Sequence, residues 1–301
     1  MAESLPPIVV GVDGSTNCAR AVDWAAAAAE RRHVPLELLH AKVEAWSPGA
    51  GDPTAPQPLP PLAGSSEDVP ACLSDARHQV REGWPDVEVS TRIVALGAPY
   101  ALVTASTDAT MVVVGARGRS VAGRILLGSV SHHLAAHARC PAVVVKRSSG
   151  DPTLPVVVGI DETATSQDTL EVAVEEAVRR RVPLVAVHAW AELAVTGYGV
   201  WAPPPDVVSD LREYAERLVS TALEGWARKH PDLEIHERAV RGHPVDVLLE
   251  EADHAQLLVV GAHGHGAFPG MLIGSVASGV VQHADCPVVV VPPRAGGRPA
   301  P

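Results

Sequence analysis

The sequence predicts two tandem α/β domains, each a doubly wound, five-stranded parallel sheet with helices on both faces. Three observations carry this: an internal repeat, an alternation of strand-like and helix-like runs, and a glycine skeleton that occurs once per repeat. The repeat has an offset of 145–148 residues in a chain of 301. That offset matches a usual domain size of about 150 residues and is too long for a solenoid. It pairs Gly11-Val12-Asp13 with Gly159-Ile160-Asp161, and Val34-Pro35-Leu36 with Val182-Pro183-Leu184. It also pairs His40-Ala41 with His188-Ala189, Gly97-Ala98-Pro99 with Gly242-His243-Pro244, and Cys140-Pro141 with Cys286-Pro287.

The first half opens on an apolar run, Ile8–Val12. A helical stripe follows, with Val22, Ala25, Ala26 and Ala29 at i, i+3, i+4 and i+7. Further strands are expected at Leu36–Ala41, Val87–Val94, Met111–Gly115 and Ala142–Lys146. The second half repeats the pattern with Val156–Ile160, then Leu170, Ala173, Val174 and Ala177 on one helical face. Its remaining strands are expected at Leu184–Ala189, Glu234–Val240, Leu257–Gly261 and Val288–Val291. Several of these runs are apolar at nearly every position, as parallel strands buried on both faces require. Alternating strand and helix then implies right-handed crossovers.

The expected domains are residues 1–147 and 156–294, joined by a polar, proline-flanked linker over 148–155 and followed by a disordered tail over 295–301. Two stretches are expected to be irregular: Ser47–Gly64, with six prolines, and Gly197–Pro205, with three consecutive prolines. Both follow a second strand, where loops lie on the ligand side of such sheets, so each is either a cover or a surface insertion.

Composition excludes several classes. A net charge of −11 with no basic block argues against binding nucleic acid through its phosphates, and 3% aromatic residues argue against base stacking. No apolar stretch approaches the ~20 residues needed to cross a membrane, and the start shows no signal-peptide pattern. The four cysteines lack paired metal spacing, so a reduced, cytoplasmic protein is expected. Cys140 and Cys286 read as packed small residues, and His132, His133 and His137 as solvated helix residues rather than a metal site.

The chemistry lies in the glycine skeleton. Gly115-Ala116-Arg117-Gly118 is followed, after nine residues, by Gly128-Ser129; Gly261-Ala262-His263-Gly264 is followed, again after nine, by Gly274-Ser275. Each copy stands between an apolar run and a helix-like stretch. A strand feeding a glycine turn and a helix start makes a phosphate cradle, because backbone N–H groups point at the anion and no side chain blocks it. Asp13 and Asp161 end the first strands, where a carboxylate can meet a ribose hydroxyl or hold water on a magnesium ion, or else cap a helix.

These residues resemble the universal stress protein family, specifically ATP-binding members with two such domains in one chain. The likeness covers nearly the whole sequence. It implies the strand order 3-2-1-4-5, ATP at the carboxyl edge of each sheet and pairing of the domains through their last strands; a homodimer is expected separately, because the apolar edges Ala142–Val145 and Val288–Val291 are hazardous if unpaired. The likeness further implies a role in stress or growth adaptation, exerted through a protein partner the sequence does not name, with no catalytic residue and no resident protein-bound metal.

Carried over by motif position, the first site comprises Gly11, Asp13, Ala41, Gly115, Arg117, Gly118, Arg119, Arg124, Gly128, Ser129 and Val130. The second comprises Gly159, Asp161, Ala189, Gly261, His263, Gly264, His265, Gly266, Gly274, Ser275 and Val276. The resemblance places ATP there, with Mg2+ as a candidate companion of its phosphates. The family's Asp-Gly-Ser stands as Asp13-Gly14-Ser15 but reads Asp161-Glu162-Thr163 in the second half. With histidines in place of Arg117 and Arg119, the second site is expected to hold a triphosphate less tightly. The alternative, a slow ATPase or nucleotidyl transferase on the same fold, lacks a Gly-Lys-Ser/Thr loop to put a lysine on the terminal phosphates.

Overall fold

The computed structural model describes residues 5–42, 70–116, 128–147, 151–163, 165–190, 194–196, 199–201, 204–264 and 273–294. The first half runs β1 (Ile8–Gly11), α1 (Thr16–Arg32), β2 (Leu36–Ala41), α2 (Ala71–Gly83), β3 (Val89–Val94), α3 (Ala98–Ala105), β4 (Met111–Gly115), α4 (Ser129–His137) and β5 (Ala142–Val145). The second runs β6 (Val156–Gly159), α5 (Thr165–Arg180), β7 (Leu184–Trp190), β8 (Ala194–Thr196), β9 (Gly199–Trp201), α6 (Pro205–Lys229), β10 (Ile235–Arg241), α7 (Pro244–Ala252), β11 (Leu257–Gly261), α8 (Ser275–His283) and β12 (Val288–Val291).

Ten strands form one sheet in the order β10-β7-β6-β11-β12-β5-β4-β1-β2-β3. Each half therefore has its long strands in the order 3-2-1-4-5, all parallel within the half. The halves meet where β12 pairs with β5 antiparallel, Val288 opposite Val144 and Val290 opposite Ala142. That pairing consumes inside the chain an apolar edge that would otherwise be open to other strands.

The structure corrects two expectations from the sequence. Gly197–Pro205 was expected to be irregular, but Gly199–Trp201 pairs with Ala194–Thr196 as a two-stranded antiparallel hairpin, Val195 opposite Val200. The β-branched and aromatic content of that stretch outweighs the prolines, which begin only after the strand ends. The edge strands β3 and β10 also start later than expected, at Val89 and Ile235. Val87 is nonetheless buried ahead of its strand. The stretch Ser47–Gly64 and the tail 295–301 lie outside the described residues, as do 148–150 of the linker. The rest of the linker is fastened: the Gln256 amide donates to the Pro152 carbonyl (3.0 Å) and the Leu154 carbonyl (2.6 Å).

Helices α1 and α5 share one buried layer with the sheet. Helix α1 packs a face of Ala21, Val22, Ala25, Ala26, Ala28 and Ala29, all fully buried, and these small side chains let it lie close to the strands. Ser15 caps it, accepting from the Cys18 N–H at 3.1 Å. Both helices are followed by a residue in the left-handed region, His33 (φ 53°) and Arg181 (φ 57°), so the repeat extends to how each helix is stopped. The close approach is tightest at the end of β4. A Cβ on Gly115 would stand 2.7 Å from the Asn17 carbonyl carbon in the first turn of α1. Gly115→Ala is expected to push α1 off the sheet and cost about 1–3 kcal/mol, as overpacking does. Urea denaturation checks this; an unchanged midpoint would show that the helix gives way freely.

Candidate functional site

At the carboxyl edge of each half, the order in which strands are added reverses between the parallel first and fourth strands, and a cleft opens there. The first has a volume of about 260 Å³ and is lined by Gly11, Asp13, Ala41, Gly115, Gly128, Ser129 and Val130 among others. The second, about 290 Å³, is lined by Gly159, Asp161, Ala189, Gly261, His263, Gly264, Gly274, Ser275 and Val276 among others. The described residues expected at each site are thus brought together twice. Arg117, Gly118, Arg119 and Arg124, and His265 and Gly266, lie outside the described residues.

The same backbone closure shapes both. The Gly128 N–H donates to the Ala116 carbonyl at 2.9 Å, and the Gly274 N–H to the Ala262 carbonyl at 2.8 Å. Each bond draws the end of the glycine loop back beside its start and aims the next helix at the cleft. Helices α4 and α8 have glycine at the N-cap, extended, with no side-chain cap bond. Their first-turn N–H groups and dipoles therefore face the cleft without a capping side chain. A Cβ on Gly274 would meet nothing closer than 3.4 Å, so the protein's own packing does not require glycine there. Gly264 is different. A Cβ on it would come within 2.7 Å of the Asp161 Oδ2, which sets glycine and carboxylate face to face.

The two aspartates organise the loops that lead into α1 and α5. Asp13 Oδ1 accepts from the Ser15 N–H at 2.9 Å, and Ser15 in turn caps α1. Asp161 Oδ1 accepts from the Thr163 N–H at 2.9 Å and from the Ser166 hydroxyl at 2.7 Å; Ser166 also accepts from the Asp161 N–H. In a cleft with glycines opposite, a held carboxylate can accept hydrogen bonds from hydroxyls or from metal-bound water.

Some lining residues were not anticipated. His40 and His188 each place Nδ1 on a carbonyl at the tip of the first strand, Val12 at 2.7 Å and Ile160 at 3.0 Å. A carbonyl only accepts, so Nδ1 carries the proton and Nε2 is the acceptor of the neutral ring. The repeat had paired these histidines, but their number in the sequence says nothing about the carbonyl they reach. Nor did spacing foretell α6, a helix of 25 residues where the first half has 13. Its Tyr214 hydroxyl donates to the Glu162 carboxylate, which pushes the phenol above its ordinary range and turns the residue standing in the place of Gly14 toward α6.

Burial pushes the Cys140 and Cys286 thiols up to about 12, which disfavours the reactive thiolate. The His133 and His137 rings lie 4.3 Å apart on α4, tilted by 47°, and the Tyr100 ring lies 5.7 Å from that of His133. Among the described residues, no group of three or more His, Cys, Asp or Glu is placed to hold a metal ion, and no helix is long and apolar enough to cross a membrane.

A twice-repeated doubly wound domain with a glycine-walled cleft at each strand-order reversal defines a class of tandem α/β proteins. Within it the chain matches the universal stress protein family over residues 5–146 and again over 153–292, and it belongs to that family. It is 38% identical over 296 residues to a universal stress protein of Mycolicibacterium smegmatis, covering 95% of this chain and 97% of the relative. To a universal stress protein of Mycobacterium tuberculosis it is 36% identical over 298 residues, covering 94% and 95%. Its fold is similar to the crystal structure of a universal stress protein from Archaeoglobus fulgidus, with a TM-score of 0.61 at 17% identity, covering 97% of this chain and 98% of that one.

Proposed function

We propose that the protein binds ATP in both clefts and acts as a regulatory nucleotide sensor in stress or growth adaptation. The observation that carries this reading is the pairing, in each cleft, of a glycine-capped helix start with a carboxylate across from it. In the second cleft Gly264 and Asp161 face each other, and Gly274 leaves open room that no protein group needs. Phosphates would lie on the N–H groups at the start of α4 or α8, where an anion is favoured. The ribose would lie by Asp13 or Asp161, and adenine by the backbone of Ala41 or Ala189. A Mg2+ ion would then be held chiefly by the phosphates, with one carboxylate acting through water.

Equilibrium binding of ATP to the folded full-length chain is expected to saturate near two per chain. A stoichiometry near zero would remove the reading, and a value near one would confine it to a single cleft. Self-association, a cytoplasmic setting and the boundary at 148–155 belong to the same proposal. Because β5 and β12 already pair within the chain, a homodimer would use another surface. Light scattering that gives one chain at every concentration would remove it.

A further inference from the structure

Away from both clefts, α1 and α5 meet around one carboxylate. Glu176 is fully buried, and its two oxygens accept from Arg32 Nη2 and, at 2.7 Å, from Arg180 Nε. The side chains of Arg32 and Arg180 are 7% and 8% exposed. The Arg180 guanidinium lies over the Trp24 ring at 5.5 Å and also donates to the Gln256 carbonyl oxygen at 2.8 Å. Arg31 is near enough to feel Arg180, Glu176 and Arg32 directly. Burial first, and then the like charge of Arg180, lower its guanidinium to about 10.

Three guanidiniums around one buried carboxylate leave an excess of two positive charges; Glu30, partly exposed, offsets some of it from beside Arg31. Among the described residues, four buried donors on these side chains have no hydrogen-bond partner: Trp24 Nε1, Arg31 Nε, Arg32 Nη1 and Arg180 Nη2. Arginine and indole nitrogens only donate. A buried water could accept from two of them but would have to place its own two protons, whereas an anion has only acceptor capacity. The last turns of α1 and α5 supply some negative potential, about half a charge each, but a helix dipole gives these N–H groups no acceptor atom. An unmet buried donor costs about 1–3 kcal/mol, more when charged, so four together are too costly to stand empty.

We infer that Trp24, Arg31, Arg32 and Arg180 form a binding site for a small inorganic anion at the junction of the two halves. None of these residues lines either cleft, so the inference stands apart from nucleotide binding. The anion would complete the charge balance that Glu176 begins and would fasten α1 to α5.

Two measurements test it. Crystals of the full chain grown in sodium bromide are expected to show an anomalous bromine peak in contact with Arg32 and Arg180. In solution, thermal unfolding at constant ionic strength, with gluconate exchanged for chloride, is expected to show a Tm that rises and saturates. Arg31→Met should abolish that chloride dependence. Protection by phosphate or sulfate but not by halide would also support the site and assign it to an oxyanion. A Tm indifferent to halide, phosphate and sulfate alike in the wild-type chain, or an absent bromine signal together with no protection by phosphate or sulfate, would overturn the inference.

Discussion

Glu176→Ala is expected to lower the stability of the chain by about 3–5 kcal/mol, because it strands two buried guanidiniums without their counter-charge. Arg32 and Arg180 come from opposite halves of the molecule and share this carboxylate, so the loss falls on the contact between the halves. The triple replacement of Arg32, Glu176 and Arg180 by methionine is expected to recover much of the loss, since a well-packed apolar set avoids the desolvation of all three charges. Chemical denaturation separates the two outcomes, and equal losses in both variants would show that packing volume rather than charge is at stake.

The same carboxylate makes a pH signature. Burial alone would raise its pKa, but Arg32 and Arg180 outweigh burial and hold it down to about 2, against an ordinary 4.5. A depressed folded-state pKa contributes stability that is complete above the unfolded value. This contribution is lost as pH falls through the folded one, here from about 4.5 toward about 2. Glu176→Gln should remove that part of the acid slope while leaving the slope above pH 4.5 unchanged.

Gly264→Val is expected to empty the second cleft of nucleotide while the chain stays folded. The first carbon of the new side chain would stand 2.7 Å from Asp161 Oδ2, and the two methyls beyond it would fill the space between carboxylate and helix start. A loss of affinity of at least about a hundredfold is expected at that cleft, equivalent to about 2.7 kcal/mol. ATP stoichiometry should fall from near two to near one, with an unaltered far-ultraviolet spectrum as control. Retention of two sites would show that the phosphates do not lie against Gly264.

Much of this architecture can be read from residue types alone. Met111–Val114 and Val288–Val291 are apolar at every position, the pattern of a strand buried on both faces, and the turn signals around them set them apart from a helix. Asp13 and Gly128 are separated by more than a hundred residues, yet their recurrence as Asp161 and Gly274 marked them as one cleft. What stayed illegible depends on tertiary partners. Glu176 looks like a helix surface residue until Arg32, 144 positions away, is seen against it. The hairpin of β8 and β9 hid behind the prolines that follow it. His40 and His188 were visible as a repeated pair, but the carbonyls that orient them belong to other strands.

The antiparallel seam between β5 and β12 has a geometric consequence for whatever reads this protein. Strands within a half run one way, and the two halves run opposite ways, so their carboxyl ends lie on opposite rims of the sheet. The two clefts consequently look in opposite directions, like sockets on the two ends of an adaptor. A rigid partner touching one mouth has no line of sight to the other. Joint readout of both clefts must pass through the body of the protein, or through two partners arriving from opposite sides.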